Sequence, residues 1–178
     1  MTTLIMSLSD QSSSPPSDIG KYTPCLHIVL FQPEIPHNTG SVGRTCVAVG
    51  AKLWLVRPLG FRMDDYYLRR AGLDYWEHLE VETVDDWSML ESRLLNNVPR
   101  PPFLFTKLAK HPYTDVAYQP DDVLVFGRES SGLPDWLHRK YPDTRLMVPT
   151  RPQVRSLNLS NTATLVMYEA VRQGVAKL

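Results

Sequence analysis

Cysteine is scarce in this 178-residue sequence, with Cys25 and Cys46 the only two. That excludes a disulfide-stapled secreted scaffold and fits a reducing cytoplasm, where two small thiols serve as buried hydrophobes. No apolar run approaches the roughly 18 to 20 residues a membrane span needs, so a soluble protein is expected. The five histidines (His27, His37, His78, His111, His138) lack carboxylates or cysteines at metal-ligand spacing, and no metal is predicted. Neither a Gly-x-Gly-x-x-Gly fingerprint nor a lysine-bearing phosphate loop occurs, which excludes the common dinucleotide and nucleotide triphosphate sites. A net excess of either charge is missing too: 19 Lys and Arg balance 19 Asp and Glu, although residues 1–99 carry −4 and residues 100–178 carry +4. So modest an excess allows a polyanionic partner without demanding one.

What the sequence has is alternation. Residues 1–23 include QSSSPPS, lack a signal-peptide pattern, and read as a disordered tail. From residue 24 onward, one domain through residue 178 is expected, and 43% hydrophobic content is enough for a buried core. Strands are predicted over residues 26–31, 53–56, 79–81, 103–105, 123–126 and 146–148. Helices are predicted to start at a cap formed by Asn38 or Thr39, and over residues 64–71, 85–95, 135–139 and 159–173. Apolar strands alternating with helices specify an α/β fold, a mostly parallel sheet with helices on both faces, and place ligands beyond the carboxyl ends of the strands.

Three polar loops occupy such ends. Residues 33–45 (PEIPHNTGSVGRT) offer a helix N-terminus with Arg44 farther along, suited either to an anionic ligand or to plain helix capping. Residues 124–134 (LVFGRESSGLP) put Gly127 at a strand end, where a missing side chain lets a ligand approach, with Glu129 at the rim; an ordinary tight turn is the other reading. Residues 155–161 (RSLNLSN) hold five polar side chains where a helix cap, Ser156 or Asn158, needs one. The surplus of neutral donors and acceptors suits a ribose or nucleoside.

Taken together, N-x-G-x-x-x-R (38–44), F-G-x-E-x-x-G-L-P (126–134) and R-S-L-N-L-S-N (155–161) resemble the three motifs of the SPOUT class of RNA methyltransferases. DDYYLRRAGLDY (64–75) further resembles the subgroup, TrmL-like, that methylates the ribose 2'-hydroxyl of the wobble nucleotide of tRNA. The likeness spans residues 26–173. It implies a C-terminal deep trefoil knot, a cytoplasmic homodimer with Tyr168 in the dimer-forming helix, and S-adenosyl-L-methionine as cofactor, leaving S-adenosyl-L-homocysteine. Cofactor-binding positions carried over are Phe105, Gly127, Val148 and Ser156; catalytic positions are Asn38, Arg44, Glu129, Ser156 and Asn158.

The implied substrate is the anticodon stem-loop of tRNA, methylated at cytidine or uridine 34. Arg44 would grip a neighbouring phosphate and orient the hydroxyl, because a guanidinium, protonated near neutrality, is poorly suited to act as a base. Arg69, Arg70, Lys107, Lys110, Arg151 and Arg155 are candidates for contacting phosphates. The motifs leave two alternatives open: methylation of another RNA position, as in rRNA, and a knotted RNA-binding protein without turnover.

Overall fold

The computed structural model describes residues 24–63 and 75–176. The amino-terminal segment, the helix expected over 64–71, most of the DDYYLRRAGLDY segment, and Arg69 and Arg70 lie outside the described residues. Among the described residues, seven strands form one parallel sheet: β1 (Leu26–Phe31), β2 (Lys52–Val56), β3 (Val81–Val84), β4 (Phe103–Phe105), β5 (His111–Pro112), β6 (Asp122–Phe126) and β7 (Arg145–Met147). Their order is β3-β2-β1-β6-β4-β7-β5. The chain therefore runs outward from β1 to β3, then crosses to the far side and later inserts β6 beside β1. Loops leaving neighbouring strands in opposite directions open a crevice at such a switch point.

Among the described residues, four α-helices cover the sheet: α1 (Pro36–Val49), α2 (Trp87–Arg93), α3 (Asp135–Lys140) and α4 (Leu159–Arg172). Strand periodicity divides the core between the two faces. Leu26, Ile28 and Leu30 point toward α1 and α4, joining Val42, Cys46, Ala163, Val166 and Met167. Val29 and Phe31 point the other way, joining Trp87 and Leu90 of α2 and Leu137 of α3. Both faces of β1 are buried, which is why it reads as a continuous apolar run. Cys46 is fully buried and Cys25 partly so, and both are free thiols.

Three expectations are corrected. Helix α1 starts at Pro36 with Ile35 as its cap residue, so neither Asn38 nor Thr39 caps it. Proline already has the helical φ and lacks the amide that a cap would satisfy. The third strand is Val81–Val84 rather than 79–81, because Leu53 pairs with Val81 and sets the register two residues later. The strand β5 gives no periodic signal at two residues, and it is absent from the sequence-based expectation. The other expected elements that fall within the described residues form within two residues of their expected bounds.

No described helix is long and apolar enough to cross a membrane.

Candidate active site at the carboxyl end of the sheet

Leu30 is in register with Phe126, Phe126 with Phe105, and Phe105 with Leu146, so four neighbouring strands end within one residue of one another. Phe105 and Phe126 stack with ring centroids 4.7 Å apart. The backbone beyond these residues walls a cavity of about 510 Å³ lined by all three polar loops. Phe105, Gly127, Val148, Ser156, Asn38, Glu129 and Asn158 all line it. Arg44 does not; it is exposed on α1, outside the cavity of its own chain.

Hydrogen bonds between distant segments hold the loops together. Buried Asn38 donates through Nδ2 to Glu129 Oε1 at 3.1 Å and accepts through Oδ1 from Asn158 Nδ2 at 3.0 Å. Asn158 also caps α4, its Oδ1 accepting from the Ser160 amide at 2.8 Å. The Glu129 carboxylate takes the backbone amides of Glu34 at 2.8 Å and Ile35 at 3.3 Å. Glu129 thus supplies from 91 to 95 residues away the anionic acceptor that the start of α1 lacks locally. The exchange is reciprocal, since the Glu34 carboxylate accepts from the Ser130 hydroxyl at 2.7 Å and amide at 2.9 Å. Those bonds hold the Glu34 carboxyl below its ordinary range.

The two acidic residues therefore clasp the first loop to the second. The surface-turn reading of Glu129 is overturned, for its carboxylate is half-buried and engaged. Gly127 has a steric reason of its own besides its place on the cavity wall. A Cβ there would lie 2.3 Å from the Gly132 carbonyl carbon and 2.4 Å from the Leu133 nitrogen, so the way its own loop folds back also requires glycine. Glu34 and Ser130 were missed in the sequence because their partners lie 96 positions apart. His138, one of the five histidines without metal-ligand spacing, is buried and lines the cavity.

Around the mouth, Lys107 and Arg155 are exposed and line the cavity, whereas Lys110 and Arg151 are exposed outside it. Among the described residues no carboxylate lies within ion-pair distance of Arg44, Lys107, Arg151 or Arg155. The cavity therefore combines an aromatic floor, strand-end backbone groups, neutral amides and hydroxyls, and a cationic rim. This donor set fits a nucleoside-bearing ligand at the backbone and an anionic chain at the rim. Among the described residues no cluster of three or more histidine, cysteine or acidic side chains is arranged to hold a metal ion.

Comparison with known proteins agrees with this geometry. A protein of Methylovorus glucosotrophus strain SIP3-4, named tRNA (cytidine(34)-2'-O)-methyltransferase, is 43% identical over 147 residues, covering 82% of this chain and 94% of its own. One of the same name from Burkholderia pseudomallei strain 1106a is 45% identical over 150 residues, covering 83% and 94%. A solved structure described as giving insights into the 2-OH methylation of C/U34 on tRNA superposes with a TM-score of 0.76 at 40% identity, covering 83% of this chain and 95% of that one. The family model described as SpoU rRNA Methylase matches residues 25–168, and with relatives this similar the chain belongs to the SpoU methylase family.

Proposed function

We propose that this chain methylates the ribose 2'-hydroxyl of the wobble nucleotide, cytidine or uridine 34, of tRNA, using S-adenosylmethionine. The observation that carries the reading is the union of three distant loops, through Asn38, Glu129 and Asn158, on the wall of one cavity. The activity named for relatives of 43–45% identity supports the position and the RNA class. S-adenosylmethionine, when bound, supplies the electrophilic methyl group. Backbone groups at Phe105, Gly127, Val148 and Ser156 hold it, and Asn38, Glu129 and Asn158 fix the wall against which the ribose is oriented. Arg44 grips a phosphate beside the target and aligns the hydroxyl; positioning of this kind supplies a large share of the rate in transfer reactions.

Arg44 lies off its own cavity, which is intelligible if two copies complete each site. Exposed His37, Arg44 and Ala48 on α1 run beside exposed Asn161, Leu165, Tyr168 and Arg172 on α4, and Thr45 meets Thr164 across the helices at 2.9 Å. Leu165 and Tyr168 are 38% and 45% exposed, large apolar surfaces that a homodimer would cover. A single domain with a threaded trefoil knot, cytoplasmic location, and the anticodon stem-loop as the bound element belong to the same reading.

The test is incubation with methyl-labelled S-adenosylmethionine and unmodified bulk tRNA, followed by nuclease digestion and mass spectrometry. Label in 2'-O-methylcytidine or 2'-O-methyluridine at position 34 is the expected result. Label only at another position, or only in rRNA, overturns the wobble assignment.

A further inference from the structure

Tyr75 and Arg44 meet through a contact that neither motif nor family description assigns. Gly43, the residue before Arg44, is buried, and a Cβ on it would come within 2.9 Å of Leu79 Cδ2 and 3.3 Å of Trp76 Cζ3. The missing side chain lets the short turn Trp76–His78 dock directly on α1. Docking brings the Tyr75 ring under the guanidinium, with Arg44 Cζ 4.5 Å from the ring centroid and Nη2 donating to Tyr75 Oη at 3.0 Å.

An exposed arginine ordinarily samples many rotamers, and ordering it on binding is costly. A carboxylate partner would order it too, but would cancel its charge. The tyrosine orders it with a ring face and a neutral oxygen, leaving the full positive charge and the remaining N–H donors for an anion. We propose that Tyr75 is a positioning residue for the transfer reaction, holding Arg44 in place for an RNA phosphate beside the methylated ribose. This rests on the proposed function above and deepens it.

The test uses the full-length chain with Tyr75→Phe, which keeps the ring and loses the hydroxyl, and Tyr75→Leu, which loses both, each alone and with Arg44→Lys. From the usual worth of one hydrogen bond and one exposed cation–π contact, kcat/KM for tRNA should fall about 5-fold and about 20-fold respectively. S-adenosylhomocysteine affinity and melting temperature should stay at wild-type values. In the Arg44→Lys background the Tyr75→Leu loss should shrink to less than about 3-fold, since the group it positions is gone. The Arg44 Nε–H resonance, sharp in wild type, should collapse toward the exposed-arginine average in Tyr75→Leu.

Equal losses in both backgrounds, or an unaltered Arg44 resonance, would overturn the assignment of Tyr75 alone. A wild-type chain that methylates no RNA would overturn the functional reading instead. In that case the resonance still reports whether Tyr75 holds Arg44.

Discussion

The two ends of the sheet are both rich in polar and charged side chains, yet use them in opposite ways. At the amino end, charges neutralise one another. Glu82 takes Lys52 at 2.9 Å and Arg93 at 2.8 Å, and buried Asp122 takes Arg100 at 3.1 Å. His27, buried beside them, accepts from Trp54 Nε1 at 3.3 Å. At the carboxyl end, Glu34 and Glu129 spend their oxygens on backbone amides, a hydroxyl and an amide side chain, and the neighbouring cations are left without carboxylates among the described residues. Carboxylates that cap backbone fix the loops without consuming the positive charge an RNA ligand requires.

If that contrast is right, damage should be graded by which end it strikes. Gly127→Ala should do most, because its Cβ would meet backbone at 2.3 Å with no flexible side chain to yield. A loss of more than about 3 kcal/mol in urea unfolding is expected, together with loss of S-adenosylhomocysteine binding by calorimetry. Near-wild-type stability would show that the loop has another way to fold. Glu129→Ala removes the acceptor for two amides and for buried Asn38, and should cost about 2 kcal/mol. Glu129→Gln, which keeps an acceptor, should recover part of that loss.

The amino end should register mainly in pH dependence. Burial holds the His27 imidazole below its ordinary value of 6.5, with Asp121 opposing and Lys52 assisting. The folded state therefore binds its proton later than the unfolded chain. The stability from neutral His27 is complete above about pH 6.5 and is lost as the pH falls toward the folded value. Urea midpoints measured from pH 7.5 to 5 should decline in wild type and decline less in His27→Gln; parallel curves would remove His27 from the account. Smallest of all, Arg93→Ala breaks a half-exposed ion pair and should change stability by less than about 1 kcal/mol and leave methylation intact.

What the sequence made legible follows the same division between local and distant causes. The strands Leu26–Phe31 and Phe103–Phe105 form with the bounds their apolar runs predict, since burial on both faces writes itself into consecutive residues. Asn158 emerges as a helix cap within one of the two positions expected, because its partners Ser160 and Asn161 are adjacent. The start of α1 was misplaced because its acceptor, Glu129, arrives from another loop. The steric demand for glycine at 127 had no sequence pattern, because the backbone it avoids, five residues on, comes near only after the turn closes. Arg44 stood out by motif, but neither its distance from its own cavity nor its tyrosine partner has a sequence pattern.

The most direct test of the account is the crystal structure with S-adenosylhomocysteine. The ligand is expected in the carboxyl-end cavity, bonded to backbone at Phe105, Gly127, Val148 and Ser156, with the Glu129 clasp unbroken. Binding elsewhere, as in the amino-end cleft lined by His27, Lys52 and Arg93, or entry only with Glu129 released from the start of α1, would contradict it.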